Sequence, residues 1–296
     1  MPALNVKTRW VLGLLAVTAL LAKPAYDYHL ARQARAAAQA RYAADKAEFQ
    51  RLCRDVAGYK FYRKAENVEG VLLLKVRHTG DWQDLMAPGA AFALEGTDEE
   101  YITSFLEYRY PSSGVNDESY FSSTKRKEGA IPGFSYVDVI DEKTGKRYRR
   151  TGSEKAVGKK DTSAHEVKRR LAEDPNYDLN VYQWTLDSVI APDPPPRYAV
   201  TFEDHVIPEE RARGLASSTV KVIDTQTNEV MAEMLRYAWG ARQASSANPY
   251  PWLTAYKCPG VGHGASAATR QFVDRVLVPP GATAPPFPPP RHENRR

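Results

Sequence analysis

An apolar run of thirteen residues, Trp10 to Ala22, follows Lys7 and Arg9, which is the order of a secretory signal. A free-standing membrane helix needs about 20 apolar residues, so length alone favours a signal peptide. The cleavage site argues the other way. A cut after Ala22 places Leu20, and a cut after Ala25 places Lys23, where the peptidase needs a small residue. The run extends to Tyr28 if Lys23 snorkels to the headgroups and Tyr26 and Tyr28 sit at the interface. The pattern favours a retained anchor over residues 1–29, with a cleaved signal as the alternative. Leu30 to Val56 is rich in Ala, Arg and Gln, and Phe49, Leu52, Cys53 and Val56 recur at helical spacing. A juxtamembrane helix over 30–57 that docks its far end on the domain is expected, ended by Gly58.

Beyond it the period shortens. "KFYRKAENVEGVLLLKVR" predicts a short strand, a turn at Glu66 to Gly70 and a buried strand Val71 to Val76. "YITSFLEYRYP" is aromatic and β-branched enough to predict a strand ending at Pro111, and 111–134 reads as a polar surface loop. "VDVIDEKTGKRYRR" and "VKVIDTQTNEVMAE" share one grammar, with Asp141 and Gly145 bounding the first turn and Asp224 and Asn228 the second. Asp accepts local backbone hydrogens and Gly or Asn tolerates positive φ, so each predicts a β-hairpin. Between and after them the pattern predicts a helix around Ala164 to Ala172 and strands Val181–Ile190, Tyr198–Phe202 and Val230–Trp239. Pro208 to Arg213 reads as a helical turn. Ser266 can cap a last helix whose apolar face is Phe272, Val273, Val276 and Leu277. The Pro-rich tail 279–296 has too little to bury and reads as disordered or polyproline. The fold class is α+β: an anchor and long helix, then a mainly antiparallel sheet domain over 58–278 closed by a C-terminal helix.

Charge changes the picture less than the pI of 9.0 suggests. Of the formal +5, residues 1–51 carry +5 and 278–296 carry +2, so 52–277 holds about −2. The basic excess suits anionic headgroups beside the anchor; a nucleic-acid partner is not expected. Positive charges on both sides of the run leave orientation contested, with the domain outside the inner membrane favoured because long domains translocate regardless of charge. The two cysteines, Cys53 and Cys258, form a bridge in an oxidising compartment and stay as buried thiols in a reducing one. A bridge would close about 200 residues and stabilise by roughly 5 kcal/mol in the chain-entropy model.

Candidate chemistry is sparse. "GHGASAA" places Ser266 where a nucleophile elbow has its serine, but an elbow follows a strand and Cys258 to Gly264 is a Pro/Gly loop. Glu203, Asp204, His205, Glu209 and Glu210 offer acid/base or metal groups without the spacing of a zinc or calcium site, and "HEVKR" at His165 lacks a second His. No cysteine–histidine zinc spacing, phosphate loop or dinucleotide fingerprint is present, so neither metal nor cofactor is expected. Aromatic content is the positive feature, and Tyr250, Trp252 and Tyr256 mark a candidate recognition patch.

Five blocks, "RLC" at Arg51 to Cys53, "ENVEGVLLLK" from Glu66, "SSTVKVIDTQTNEV" from Ser217, "NPYPWL" before Cys258 and "FVDRVL" from Phe272, resemble an uncharacterised family of single-anchor envelope proteins of Gram-negative bacteria. The likeness spans both ends of 51–277 and is weak over 78–195. It implies an anchored domain facing the periplasm, with both cysteines part of the pattern, and carries no catalytic residue. The expectation is a non-enzymatic periplasmic binding protein, in its sharpest form an immunity protein against an envelope-acting secreted toxin such as a lipase. A structural or assembly subunit of an envelope machine is the alternative, and a hydrolase using Ser266 or Asp204 and His205 comes third.

Overall fold

The computed structural model describes residues 6–78, 87–93, 96–111, 120–126, 128–240, 248–259 and 268–282, with side chains from Lys23 onward except at 111, 120–122 and 251. Residues 1–51 and 52–296 form two compact units. Helix α1, Val6–Asp55, is continuous, and Lys23 to Ala44 are exposed. Among the described residues no helix is long and apolar enough to cross a membrane; the side chains of Trp10 to Ala22 lie outside them.

The second unit is built on a nine-stranded sheet: β1 (Gly58–Phe61), β2 (Gly70–Leu73), β5 (Tyr136–Ile140), β6 (Arg147–Lys159), β7 (Asn180–Ile190), β8 (Tyr198–His205), β9 (Leu215–Asp224), β10 (Glu229–Trp239) and β11 (Tyr256–Cys258). A separate hairpin joins β3 (Tyr108–Pro111) to β4 (Tyr120–Ser123). The sheet order is β1-β10-β9-β8-β2-β5-β6-β7. Pairing is antiparallel except at β2, which runs parallel to both β5 and β8, because the chain leaves β2 through helix α2 (Asp98–Leu106) and returns in the same direction. The α+β class and mainly antiparallel sheet read from the pattern hold.

Side chains of period two put Val71, Leu73, Val137, Val139, Val200, Phe202, Val220, Val222, Ala232 and Met234 in one core. Over them lie Tyr101, Ile102, Phe105 and Leu106 of α2, and Phe272 and Val273 of α5 (Ala268–Asp274) with Val276 and Leu277 just beyond it. Phe105 is 0% exposed; truncation to Ala there removes about 3–5 kcal/mol.

The two predicted hairpins are β5–β6 and β9–β10. Gly145 (φ 68°) and Asn228 (φ 58°) hold the left-handed positions, and Asp141 accepts from Thr144 N at 2.8 Å. Helices α3 (His165–Glu173) and α4 (Pro208–Ala212) also form where read.

Three expectations are corrected. Tyr101 to Leu106 is helix, not strand: Asp98, Glu99 and Glu100 favour the positive end of the helix dipole, and Tyr101, Ile102, Phe105 and Leu106 bury one helical face. The supposed loop 111–134 contains β4, paired to β3 through Tyr110 and Phe121; 112–119 lie outside the described residues. Val56, assigned to the apolar face, is 43% exposed while Leu52 is buried. Ser266 and the tail from 283 also lie outside the described residues.

Strands β1 and β11 share one edge of β10, with Gly58 opposite Leu235 and Cys258 opposite Tyr237. Cys53 and Cys258 are joined where the two strands meet, Cα atoms 5.6 Å apart. The bridge fixes both edge strands, which are otherwise short (four and three residues).

Candidate functional site

The core face of the sheet turns polar at one end. One rung above Phe202–Val220–Met234, neighbouring strands bring Asp204, Ser218 and Arg236 abreast. Arg77, entering just after β2, donates to Asp204 through Nη1 at 2.9 Å and Nη2 at 3.1 Å and lies 4.0 Å above the Phe202 ring. Arg236 lies 4.4 Å from the Phe92 ring. The next rung, Ala216–Ala238–Lys257, adds a third cation beside Ala90, Ala91, Phe92 and Trp252. Burial, reinforced by Arg77, lowers the Arg236 guanidinium well below its usual value; burial, then Arg236 and Arg77, lowers Lys257 to about 8. Asp204 is held bidentately by Arg77, so the constellation is a clasp of stacked cations tying the segment around Phe92 to the sheet.

A second buried clasp centres on Asp274 at the end of α5. It accepts from Arg270 Nε at 2.8 Å and pairs with Arg109 Nη1 at 3.2 Å. Arg270 also donates to the Ser104 carbonyl and lies 5.1 Å from the Phe134 ring. Helix α5, helix α2 and strand β3 are thereby joined.

Beside that clasp opens a cleft of about 350 Å³, between the β3–β4 hairpin, the segment Pro132 to Ser135 and the β6–β7 ribbon. Its size lies in the range of ligand pockets. Leu106, Tyr108, Pro132, Phe134 and Trp184 supply apolar walls, while Thr124, Arg126, Ser135, Ser153 and Glu154 supply polar groups. Arg126 and Glu154 are exposed, so the mouth carries both signs of charge. Trp184 lies against Gly152 on the neighbouring strand: a Cβ there would stand 1.8 Å from Trp184 Cζ2. Only glycine lets the indole sit flat in the wall. A lone glycine inside a strand pattern, with a tryptophan on the partner strand, is the sequence signal that could have located this site; the aromatic reading placed the patch elsewhere.

The candidates from sequence do not converge. Asp204 and His205 are consecutive on β8 and face opposite sides: Asp204 joins Arg77, and His205 Nε2 meets Thr219 Oγ1 at 2.9 Å. Glu203 and Glu209 are exposed, and Ser217 donates to Glu210 at 3.3 Å. His165 starts α3 on an exposed face. Among the described residues no group of three or more His, Cys, Asp or Glu could hold a metal ion. The patch divides: Trp252 is 7% exposed beneath Arg211, whereas Tyr250 and Tyr256 are 40% and 56% exposed and Tyr256 stacks on Trp239. Trp252 is therefore a packing residue, because the short 3₁₀ turn Pro251–Thr254 points its indole at Ala90–Phe92. No protein-family model, curated protein or solved structure matches the chain.

Proposed function

We propose that this chain is a membrane-anchored binding protein of the periplasm that holds a partner protein in the cleft between the β3–β4 hairpin and the β6–β7 ribbon, as an immunity protein holds an envelope-acting toxin. The carrying observation is the cleft itself. Its aromatic walls are set before binding by packing and by Gly152, which lowers the ordering cost of association. Charge of both signs at the mouth suits a polar rim around an inserted apolar side chain. The apolar run near the amino terminus and the Cys53–Cys258 bridge support an anchored domain in an oxidising space.

The test is survival. Cells making the full chain together with an envelope-directed toxin encoded beside it grow, and cells making the Glu154→Arg variant, altered at an exposed position of the cleft, do not. Equal killing with and without the chain rejects the toxin partner. Equal protection by the variant rejects the cleft. The exposed stretch Lys23 to Ala44 of α1 favours a second reading, an assembly subunit that contacts its complex through this helix. Replacement of residues 30–50 by an unrelated helix then abolishes function while cleft variants do not.

A further inference from the structure

The β6–β7 ribbon ends the sheet, and its outer strand β7 has no neighbour beyond it among the described residues. The ladder fixes which backbone groups face outward. Ala191 N donates to Arg147 O and Lys160 N donates to Leu179 O, so odd-numbered residues of β7 bond inward to β6. The N–H and C=O groups of Asn180, Tyr182, Trp184, Leu186, Ser188 and Ile190 are left along the free edge. Edges of this kind are usually blunted by lysine, proline or a bulge. Over eleven residues β7 contains no proline, lysine or arginine, and the irregularity in the pair falls on β6. Val181, Tyr182, Val189 and Ile190 are instead 41%, 46%, 59% and 72% exposed.

The strand is complementary to itself. A two-fold axis normal to the sheet through Thr185 places residues i and 370 − i opposite each other on the same face. Val181 then meets Val189, Gln183 meets Asp187, Trp184 meets Leu186 and Thr185 meets Thr185. Tyr182 meets Ser188 and Asn180 meets Ile190. The Thr–Thr pair on the axis is of a kind that stabilises a sheet, and Val181–Val189 and Trp184–Leu186 set apolar side chains against each other on either side of it. The outward groups of the six even residues pair reciprocally, closing about 12 hydrogen bonds. A two-fold operator also closes the assembly, leaving no free β7 edge.

We propose that two copies of this chain pair antiparallel through β7 with Thr185 on the axis, forming one sheet across the dimer. Leu186 of the second copy then lies beside Trp184, so each copy extends the wall of the other's cleft. The pairing stands independently of what the cleft binds.

Thr185 meets its own copy as a non-hydrogen-bonded pair, whose close Cα spacing suits a disulfide. Native membranes carrying the full chain with Thr185→Cys, oxidised mildly and run without reductant, give a covalent dimer. Gln183→Cys, four residues out of register with its own copy, does not. A separate readout is light scattering of the detergent-solubilised full chain. Val181→Lys with Val189→Lys sets lysine against lysine and weakens dimerisation at least about tenfold, whereas Val181→Lys with Val189→Glu restores it. The proposal is overturned if the unsubstituted chain scatters as a monomer, if both cysteine variants cross-link equally, or if Thr185→Cys links only to a different protein.

Discussion

Asp204→Asn tests whether the polar end of the sheet is a structural clasp. Asp204 is buried beside a fully buried Arg77 and accepts two hydrogen bonds from it. Asparagine keeps the shape but loses the charge and one of the two acceptor oxygens. Arg77, whose charge together with burial already lowers the Arg236 guanidinium, is then left without its carboxylate partner. Breaking one side of a buried pair costs about 3–5 kcal/mol, roughly a fifth or more of a typical domain's stability of about 5–15 kcal/mol. With a urea slope of about 3 kcal/mol/M the midpoint falls by about 1 M or more. The assay is urea unfolding of the full chain, followed by tryptophan fluorescence with the disulfide intact. Arg77→Met with Asp204→Leu, which removes both charges, recovers most of the loss. Asp187→Asn, at the exposed pair with Lys155, costs less than about 1 kcal/mol. A loss below about 1 kcal/mol for Asp204→Asn would refute the reasoning, since it would mean that water already screens the pair.

Three further outcomes are expected. Replacing Cys53 and Cys258 together by Ser frees a loop spanning 205 positions and lowers stability by about 5 kcal/mol in the chain-entropy model, read as an equal shift on adding reductant to the native protein; coincident melts would exclude the bridge. Lys257, lowered to about 8 from 10.5 by burial and then by Arg236 and Arg77, binds its proton more tightly unfolded than folded. Its penalty is full below pH 8 and fades as pH climbs to 10.5, so stability rises by about 3 kcal/mol across that window relative to Lys257→Met; parallel profiles would show the ammonium to be solvated. Gly152→Val drives the Trp184 indole out of the cleft wall, costing about 1–3 kcal/mol by overpacking and shifting tryptophan emission to the red; an unchanged spectrum would show that the ring is not seated there.

What the sequence disclosed follows from how local each signal is. The β5–β6 and β9–β10 hairpins were legible because Asp141, Gly145, Asp224 and Asn228 satisfy their turns within a few residues. Helix α2 was not, since Tyr101, Ile102 and Phe105 suit strand and helix alike, and only their common burial against Val71 and Phe202 decides the period. The parallel placement of β2 depends on a crossover that no local pattern encodes. Arg77 and Asp204 are 127 positions apart, and a guanidinium seated on Phe202 reads in the sequence like any surface arginine. Trp252 looked like a recognition residue by composition, yet the turn that carries it aims the ring inward. The cleft is not legible locally because its walls come from five separated segments, although Gly152 within a long strand marks the close approach of Trp184.

The binding claim is tested most directly by site-specific photocross-linking in living cells that make the full chain. A photoreactive residue at Glu154, in the cleft, forms one discrete adduct with a partner protein, and Gly152→Val abolishes it. The same residue at Lys143, exposed in the β5–β6 turn, forms none. Labelling at Lys143 that matches Glu154, or an adduct indifferent to Gly152→Val, would contradict the account.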